Sequence, residues 1–235
     1  MGDSGEERLC PWSVWGGEEL DWVRGAARLY LRGVGRRYIA EWPFNEAHEA
    51  VVKRYRPQRR YRLGLFLPCS YGKPYGQSYI HYLIRRAIAP WLRAGLVHEI
   101  ILTNAGVVPR ELEEHWPYVA YDWNPKHETP EVKRCYRRIL ASRIRDYLEA
   151  HGAHYEGYAA YLRWDSDSWA ALREAAGALG LRIPNLAPES VPPKEVEEAG
   201  LGLGYDEDSD IVLVTPTALE SLRRGLQGIL GWPGA

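Results

Sequence analysis

A cysteine, a lysine and a histidine stand close together at Cys69, Lys73 and His81, the first two inside Pro68-Cys69-Ser70-Tyr71-Gly72-Lys73-Pro74-Tyr75. These are residue types of nucleophilic and proton-transfer chemistry. A thiolate attacks electrophilic carbon, and a nearby ammonium or helix N-terminus favours the thiolate. An imidazole titrates near neutrality and can move a proton. Each residue also has an ordinary reading: Cys69 as a small buried hydrophobe, Lys73 as an exposed ion-pairing cation or phosphate ligand, His81 as a packed helix residue. Gly72-Lys73-Pro74-Tyr75 lacks the other elements of a nucleotide-binding P-loop, so ATP is not expected. With no C-x-x-C pair and no H-x-x-x-H spacing, neither a metal nor another cofactor is expected.

Other candidates lie in the same loop and in two later ones. Ser70, Tyr75 and Ser78 flank the cysteine and lysine. Asn104, Arg110 and Glu111 follow a second apolar run, Arg110 suited to phosphate and Glu111 to the first turn of a helix. Asp122 and Trp123 end a third run. A carboxylate accepts from the N–H groups of a guanine-like ring while an aromatic neighbour stacks on it. A turn-forming Asp and a capping Glu are the plainer alternatives.

What must position these residues is an alternation of strands and helices. Leu63-Gly64-Leu65-Phe66-Leu67 reads as a buried strand, 78–94 as a helix, 97–103 as a second strand, and 104–109 as a loop. Residues 118–122 read as a third strand, 129–151 as a long helix started by Thr129 and Pro130, and 158–163 as a fourth strand. A helix capped at Asp165 or Ser166, a Pro-rich acidic excursion over 184–210, a fifth strand at 211–214 and a helix over 217–230 complete the pattern. That order predicts an α/β domain over 61–235, a three-layer αβα sandwich around a short, mostly parallel sheet. Its ligand is expected beyond the strands' carboxyl ends, where the three loops gather. Residues 1–16 read as loose. Apolar spacing over 18–31 and the segment 45–55 predict two helices, making 1–60 an N-terminal helical extension.

Bulk composition bounds the function. The net charge of −1 excludes a globally basic nucleic-acid binder. Basic residues crowd 53–62 and 133–145, and acids collect late, from Glu195 to Asp210. Either basic stretch can attract phosphate or be a solvated face. Cys10, Cys69 and Cys135 do not form a disulfide framework, which points to a reducing compartment. With no signal-like or membrane-length apolar run, the expectation is a cytoplasmic protein with no membrane partner.

Three signatures in order resemble one family. Pro68-Cys69-Ser70-x-x-Lys73-Pro74-Tyr75-x-x-Ser78-x-x-His81 resembles the P-C-S-x-x-K-P-Y-x-x-S-x-S-H signature of the archaeosine synthase core domain, with Ile80 where the family has serine before the histidine. Gly106-Val107-Val108-Pro109-Arg110-Glu111-Leu112-Glu113 looks like the second signature, and Tyr121-Asp122 with Glu128 to Lys133 like the third. The resemblance covers roughly residues 60 to 165. It implies a fold like that of uracil-DNA glycosylases and action on tRNA carrying 7-cyano-7-deazaguanine in the D-loop, with lysine adding across the nitrile. Cys69 would add to the nitrile as a thioimidate, or Lys73 and His81 would assist direct attack by the amine, and Asp122 would read the base. Full-length members carry a transglycosylase-like region and a PUA RNA-binding domain, for which this chain has no room. The resemblance therefore leaves RNA binding to the basic segments or to a partner carrying those domains. A non-catalytic tRNA- or deazaguanine-binding module and a base-excising glycosylase are the other readings.

Overall fold

A computed structural model describes residues 10–21, 28–200 and 208–233. Residues 1–9 of the expected loose segment, 22–27 of the first expected helix, and Asp206 and Glu207 of the acidic excursion lie outside them.

The chain opens with a hairpin: β1 (Trp15–Asp21) pairs antiparallel with β2 (Arg28–Val34), in register from Trp15↔Val34 to Asp21↔Arg28. The helix expected over 18–31 is thereby corrected. Within that stretch Leu29 and Leu31 also fit the two-residue period of a strand. What decides is a partner far along the chain, since β2 runs parallel to a two-residue strand and pairs Leu31 with Tyr121. Among the described residues of the expected N-terminal helical extension, helix is confined to a short 3-10 turn at Arg36–Tyr38 and α1 (Phe44–Lys53).

The main sheet begins with β3 (Leu63–Pro68), every residue of which is buried. A 3-10 turn at Tyr75–Gln77 precedes α2 (Tyr79–Arg93), where Ser78 caps the helix by accepting from the His81 backbone N–H. Ile80, Ile84, Ala87, Ile88 and Trp91 form the buried stripe of α2. Next come β4 (Val97–Thr103) and β5 (Gly106–Pro109). The expected loop over 104–109 is mostly β5, which folds back antiparallel on β4 through the two-residue turn Asn104-Ala105. Thr103 Oγ1 holds that turn by accepting from Ala105 N–H at 3.0 Å and donating to the Gly106 carbonyl at 3.1 Å. Gly106 itself sits at φ +122°, and a side chain there would press on Arg143.

The third expected strand is reduced to β6 (Tyr121–Asp122), and it joins the N-terminal hairpin, giving the order β1-β2-β6. The second sheet has the order β5-β4-β3-β7, with β7 (Tyr158–Ala160) and β4 both parallel to β3. The α/β class is as expected, in two small mixed sheets. Helices α3 (Pro130–His151) and α4 (Asp167–Ala178) start from Thr129 and Ser166, whose side chains accept from the N–H three residues on. After α5 (Pro193–Gly200), residues Ser209–Val214 form a 3-10 helix rather than the expected fifth strand. The outer edge of β7 is already taken: Ala160 donates to the Pro184 carbonyl and accepts from Leu186 N–H. Ile211, Leu213 and Val214 instead bury beside α2 and α6 (Pro216–Leu230).

Alternation along β3 sends Leu63, Leu65 and Leu67 into the apolar cluster of α2 and α6, and Phe66 into that of α3 and α4. The second cluster also holds Val34, Phe44 and Val51, so residues before and after position 60 share one core. Cys10 and Cys135 are joined in a disulfide that spans 125 residues. The expectation of no disulfide is corrected, and with it goes the cysteine argument for a reducing compartment. Pairing over that distance leaves no spacing signal, because it is α3 that carries Cys135 to the N-terminal segment. Among the described residues no helix is long and apolar enough to cross a membrane.

Candidate functional site

A cavity of about 730 Å³ opens at the carboxyl ends of β3 and β7 and beside the β4–β5 turn. Of the residues singled out from the sequence, Cys69, Ser70, Lys73, Asn104 and Trp123 line it. Tyr121, Glu128, Tyr136, Arg163, Asp208 and Asp210 are among its charged and aromatic walls.

Cys69 follows the last residue of β3 and is partly buried against the core. Burial pushes its thiol up to about 12, Asp210 adds to the shift, and Lys73 opposes it. The expectation that a helix end would favour the thiolate is corrected, because the 3-10 turn and Ser78 separate Cys69 from the first turn of α2. Lys73 lies over the Tyr121 ring, its Nζ 4.3 Å from the centroid, a cation–π contact. The Lys73 ammonium also donates to the Tyr71 carbonyl at 3.4 Å. Burial lowers the Lys73 pKa, while Cys69 and Asp122 hold it up. Ser70 Oγ donates to the Gly72 carbonyl and shapes the loop. Trp123 is nearly buried, and its indole N–H donates to Glu128 Oε1 at 2.7 Å.

His81 does not reach the cleft. It is fully buried, and its ring nitrogens are both engaged: Nε2 meets the Pro68 carbonyl at 2.9 Å, and Nδ1 lies 2.7 Å from Arg110 Nη2. Since Arg110 can only donate, Nδ1 accepts and Nε2–H donates, which is the neutral ring. Burial and then the Arg110 charge push its pKa well below the usual histidine value. Arg110 also pairs with Glu99 and Glu113, each at 2.6 Å, inside the protein. Glu111 turns to His98 at 2.9 Å and to Tyr55. Tyr75 is buried, its hydroxyl 2.9 Å from that of Tyr121, and Ser78 is the cap of α2. Asp122 lies behind the cleft wall, with Oδ2 3.8 Å from Arg32 and Oδ1 enclosed without a hydrogen-bond partner. The network His81–Arg110–Glu99 thus fixes the Pro68 carbonyl directly before Cys69, and these residues position the loop rather than line the cavity.

The sequence reading did not single out Asp208, Asp210, Arg163 and Tyr136 as site residues. Asp210 accepts from Arg163 Nε at 2.8 Å, and burial lifts its carboxyl to about 6. Desolvation also raises Glu128. Arg163 follows β7, so the carboxyl-end rule applied to that strand points to it. Nothing comparable marks Asp208 and Asp210, because the segment after them is not a strand. The cleft can hold a planar ring of nucleobase size between aromatic walls, with a thiol, an ammonium and several carboxylates, Glu128, Asp208 and Asp210 among them, lining it. Among the described residues no cluster of His, Cys, Asp or Glu could hold a metal.

Residues 45–169 match a family model described as a domain of unknown function, DUF5591. Three curated relatives carry the name archaeosine synthase subunit alpha. The protein of Thermococcus kodakarensis is 38% identical over 112 residues, which cover 43% of this chain and 18% of the relative. That of Thermoplasma acidophilum is 43% identical over 61 residues, 26% of this chain and 12% of the relative. That of Methanosarcina acetivorans is 35% identical over 101 residues, 39% and 16% respectively. The matched stretch is thus less than a fifth of each relative. Among solved structures, the crystal structure of AF0587, a protein of unknown function, superposes with a TM-score of 0.50 at 18% identity, over 77% of this chain and 49% of that one. That likeness concerns the fold alone.

Proposed function

Because the chain belongs to the DUF5591 family and carries an archaeosine synthase-like domain, we propose that it acts in forming archaeosine in tRNA, by adding an amine across the nitrile of 7-cyano-7-deazaguanine. The observation that carries this reading is the cleft in which Cys69 and Lys73 share one cavity with Trp123, Tyr121 and Asp210.

In this reading the base enters between the aromatic walls. The Cys69 thiol adds to the nitrile carbon, forming a C–S bond, while its proton passes to a base and the nitrile nitrogen takes one from an acid. Asp210, lifted to about 6, is a carboxylate base at neutral pH. Lys73, over the Tyr121 ring, supplies the proton and stabilises charge on the nitrogen. An amine, with lysine as the donor, then attacks the thioimidate, and the thiol leaves with its proton restored. The product is an amidine, and no oxidant or reductant is consumed. Direct attack by the amine with Lys73 as the acid is the other route. His81 acts in either as a positioning residue, through Pro68. Asp122 contributes through its field on Lys73. A fold like that of uracil-DNA glycosylases belongs to the same proposal, supported by the parallel core strands and a base-sized cleft at their carboxyl ends.

Incubation with cyano-modified tRNA and lysine, followed by nucleoside mass analysis, tests this. The expected product carries the mass of one added lysine. No adduct from the chain, alone or with companion proteins, removes the catalytic reading. Full activity in Cys69→Ala removes the thioimidate and leaves direct attack.

One observation favours a second reading. A thiol pushed up to about 12 is a poor nucleophile at rest, which suits a module that holds the base while a partner subunit, with transglycosylase-like or PUA domains, does the chemistry. An adduct that forms only when the partner is present, and survives Cys69→Ala and Lys73→Ala, would select it.

A further inference from the structure

We propose that the exposed face of α2 is an RNA-binding track that leads a strand into the cleft; this rests on the tRNA reading above and names the surface that serves it. The 15 residues of α2 include Arg85, Arg86 and Arg93 and not one Asp or Glu. Tyr79, Tyr82, Arg86 and Arg93 follow one another at spacings of three, four and seven, which places them on one side of the helix. Tyr79 and Tyr82 are 38% and 56% exposed, large aromatic surfaces left facing water. Beside them runs a groove of about 340 Å³ lined by the three arginines and Tyr82, with Gly76 at one end.

The groove and the cleft share the loop from Cys69 to Gly76. Tyr71 lines the cleft and is 68% exposed, and Gly76 lines the groove. A strand lying along α2 therefore passes directly to Cys69. At the far end, Arg59 reaches Gly95 just past the helix and continues the positive charge.

Ion pairing sets this face apart from most of the basic residues on α3. On α3, Lys133, Arg134 and Arg137 pair with Glu128, Glu131 and Glu174, and Arg143 is buried against Ala105 and Asn45. In the earlier stretch, Lys53 pairs with Glu49 and Arg62 with Glu156, while Arg54, Arg56, Arg59 and Arg60 make no ion pair among the described residues and extend the positive surface past the end of α2. On α2, Arg85 pairs with Glu99, whereas Arg86 and Arg93 have no ion-pair partner among the described residues. Guanidinium groups without acids attract phosphates, and exposed tyrosines stack on unpaired bases. Two tyrosines followed by arginines along one edge suit single-stranded or loop RNA, with bases stacking near the cleft and phosphates held beyond.

The test is fluorescence anisotropy of the full chain with a labelled, unmodified tRNA transcript over a salt series. Arg86→Glu with Arg93→Glu is expected to weaken binding at least about thirtyfold and to lower the slope of log K against log salt by one to two. Tyr82→Ala should cost about tenfold with the slope unchanged. Arg134→Glu with Arg137→Glu, on α3, should stay within about twofold. If the glutamate pair fails to fold, Arg86→Gln with Arg93→Gln carries the same expectation at smaller size. Unchanged affinity and slope in the α2 variants, a loss no larger than in the α3 control, or no RNA binding by the unaltered chain at low salt would each overturn the track. Adduct formation on cyano-modified tRNA is read separately. Weakened α2 variants beside an unaltered chain that makes no adduct would end the chemical reading and leave the track. Normal adduct yields and normal RNA affinity in the variants would end the track alone.

Discussion

Cys69 is the group whose state most depends on its surroundings. A thiol in water loses its proton at a pH of about 8.5, but this one is pushed up to about 12 by burial and by Asp210. At neutral pH it is therefore protonated until a ligand or base removes the proton. Alkylation of Cys69 by iodoacetamide should then keep climbing about tenfold per pH unit from 7 to 10, with Cys10 and Cys135 inert in their disulfide. Intact mass against time measures it, and a plateau near pH 8.5 would contradict the assigned environment. His81 behaves in the opposite sense to an acid–base catalyst. Its pKa lies well below the usual range, so the ring stays neutral across physiological pH. An NMR titration of its ring protons should show no change between pH 6 and 8.

At the scale of elements, the start of α2 ties the site to the core. His81→Ala removes the donor to the Pro68 carbonyl and one of the two acceptors of Arg110 Nη2, which keeps Glu99, and opens a hole in packed structure. The expected cost is about 3 kcal/mol, read from urea midpoints, with base binding weakened because the loop before Cys69 loses its anchor. Ser78→Ala removes only the cap, which accepts from His81 N–H, and should cost about 1 kcal/mol. A larger loss for Ser78→Ala than for His81→Ala would reverse this ranking. Element type was legible where periodicity and caps agreed, as in α2, α3 and α4. It was not legible in 18–31, where helical spacing of apolar residues prevailed in the sequence and pairing with a distant strand decided the outcome. It also failed at 211–214, where an apolar run suited to a strand found the edge of β7 already occupied.

For the whole molecule, the disulfide is the longest-range tie. It closes a loop of 125 residues between the N-terminal segment and α3. Cys135→Ala should lower stability by about 3 to 5 kcal/mol in denaturant unfolding under non-reducing conditions. Added reductant should bring the unaltered chain down to the same level, whereas equal stability of variant and unaltered chain under non-reducing conditions would show that the tie contributes little. The same scale explains the cleft, which takes residues from the ends of β3 and β7, the β4–β5 turn, β6 and the 208–210 segment.

The sequence by itself determined which groups have the chemistry: the thiol and ammonium at Cys69 and Lys73, the family signatures around them, and the strand that ends just before them. These are local matters of residue type, spacing and turn. Tertiary structure alone decided the rest. It withdrew His81 and Arg110 into a buried network, brought Asp208 and Asp210 to face the thiol, and raised the thiol pKa instead of lowering it. Burial and the sign of a neighbouring charge depend on what lies within a few ångströms in space, and no spacing along the chain records that.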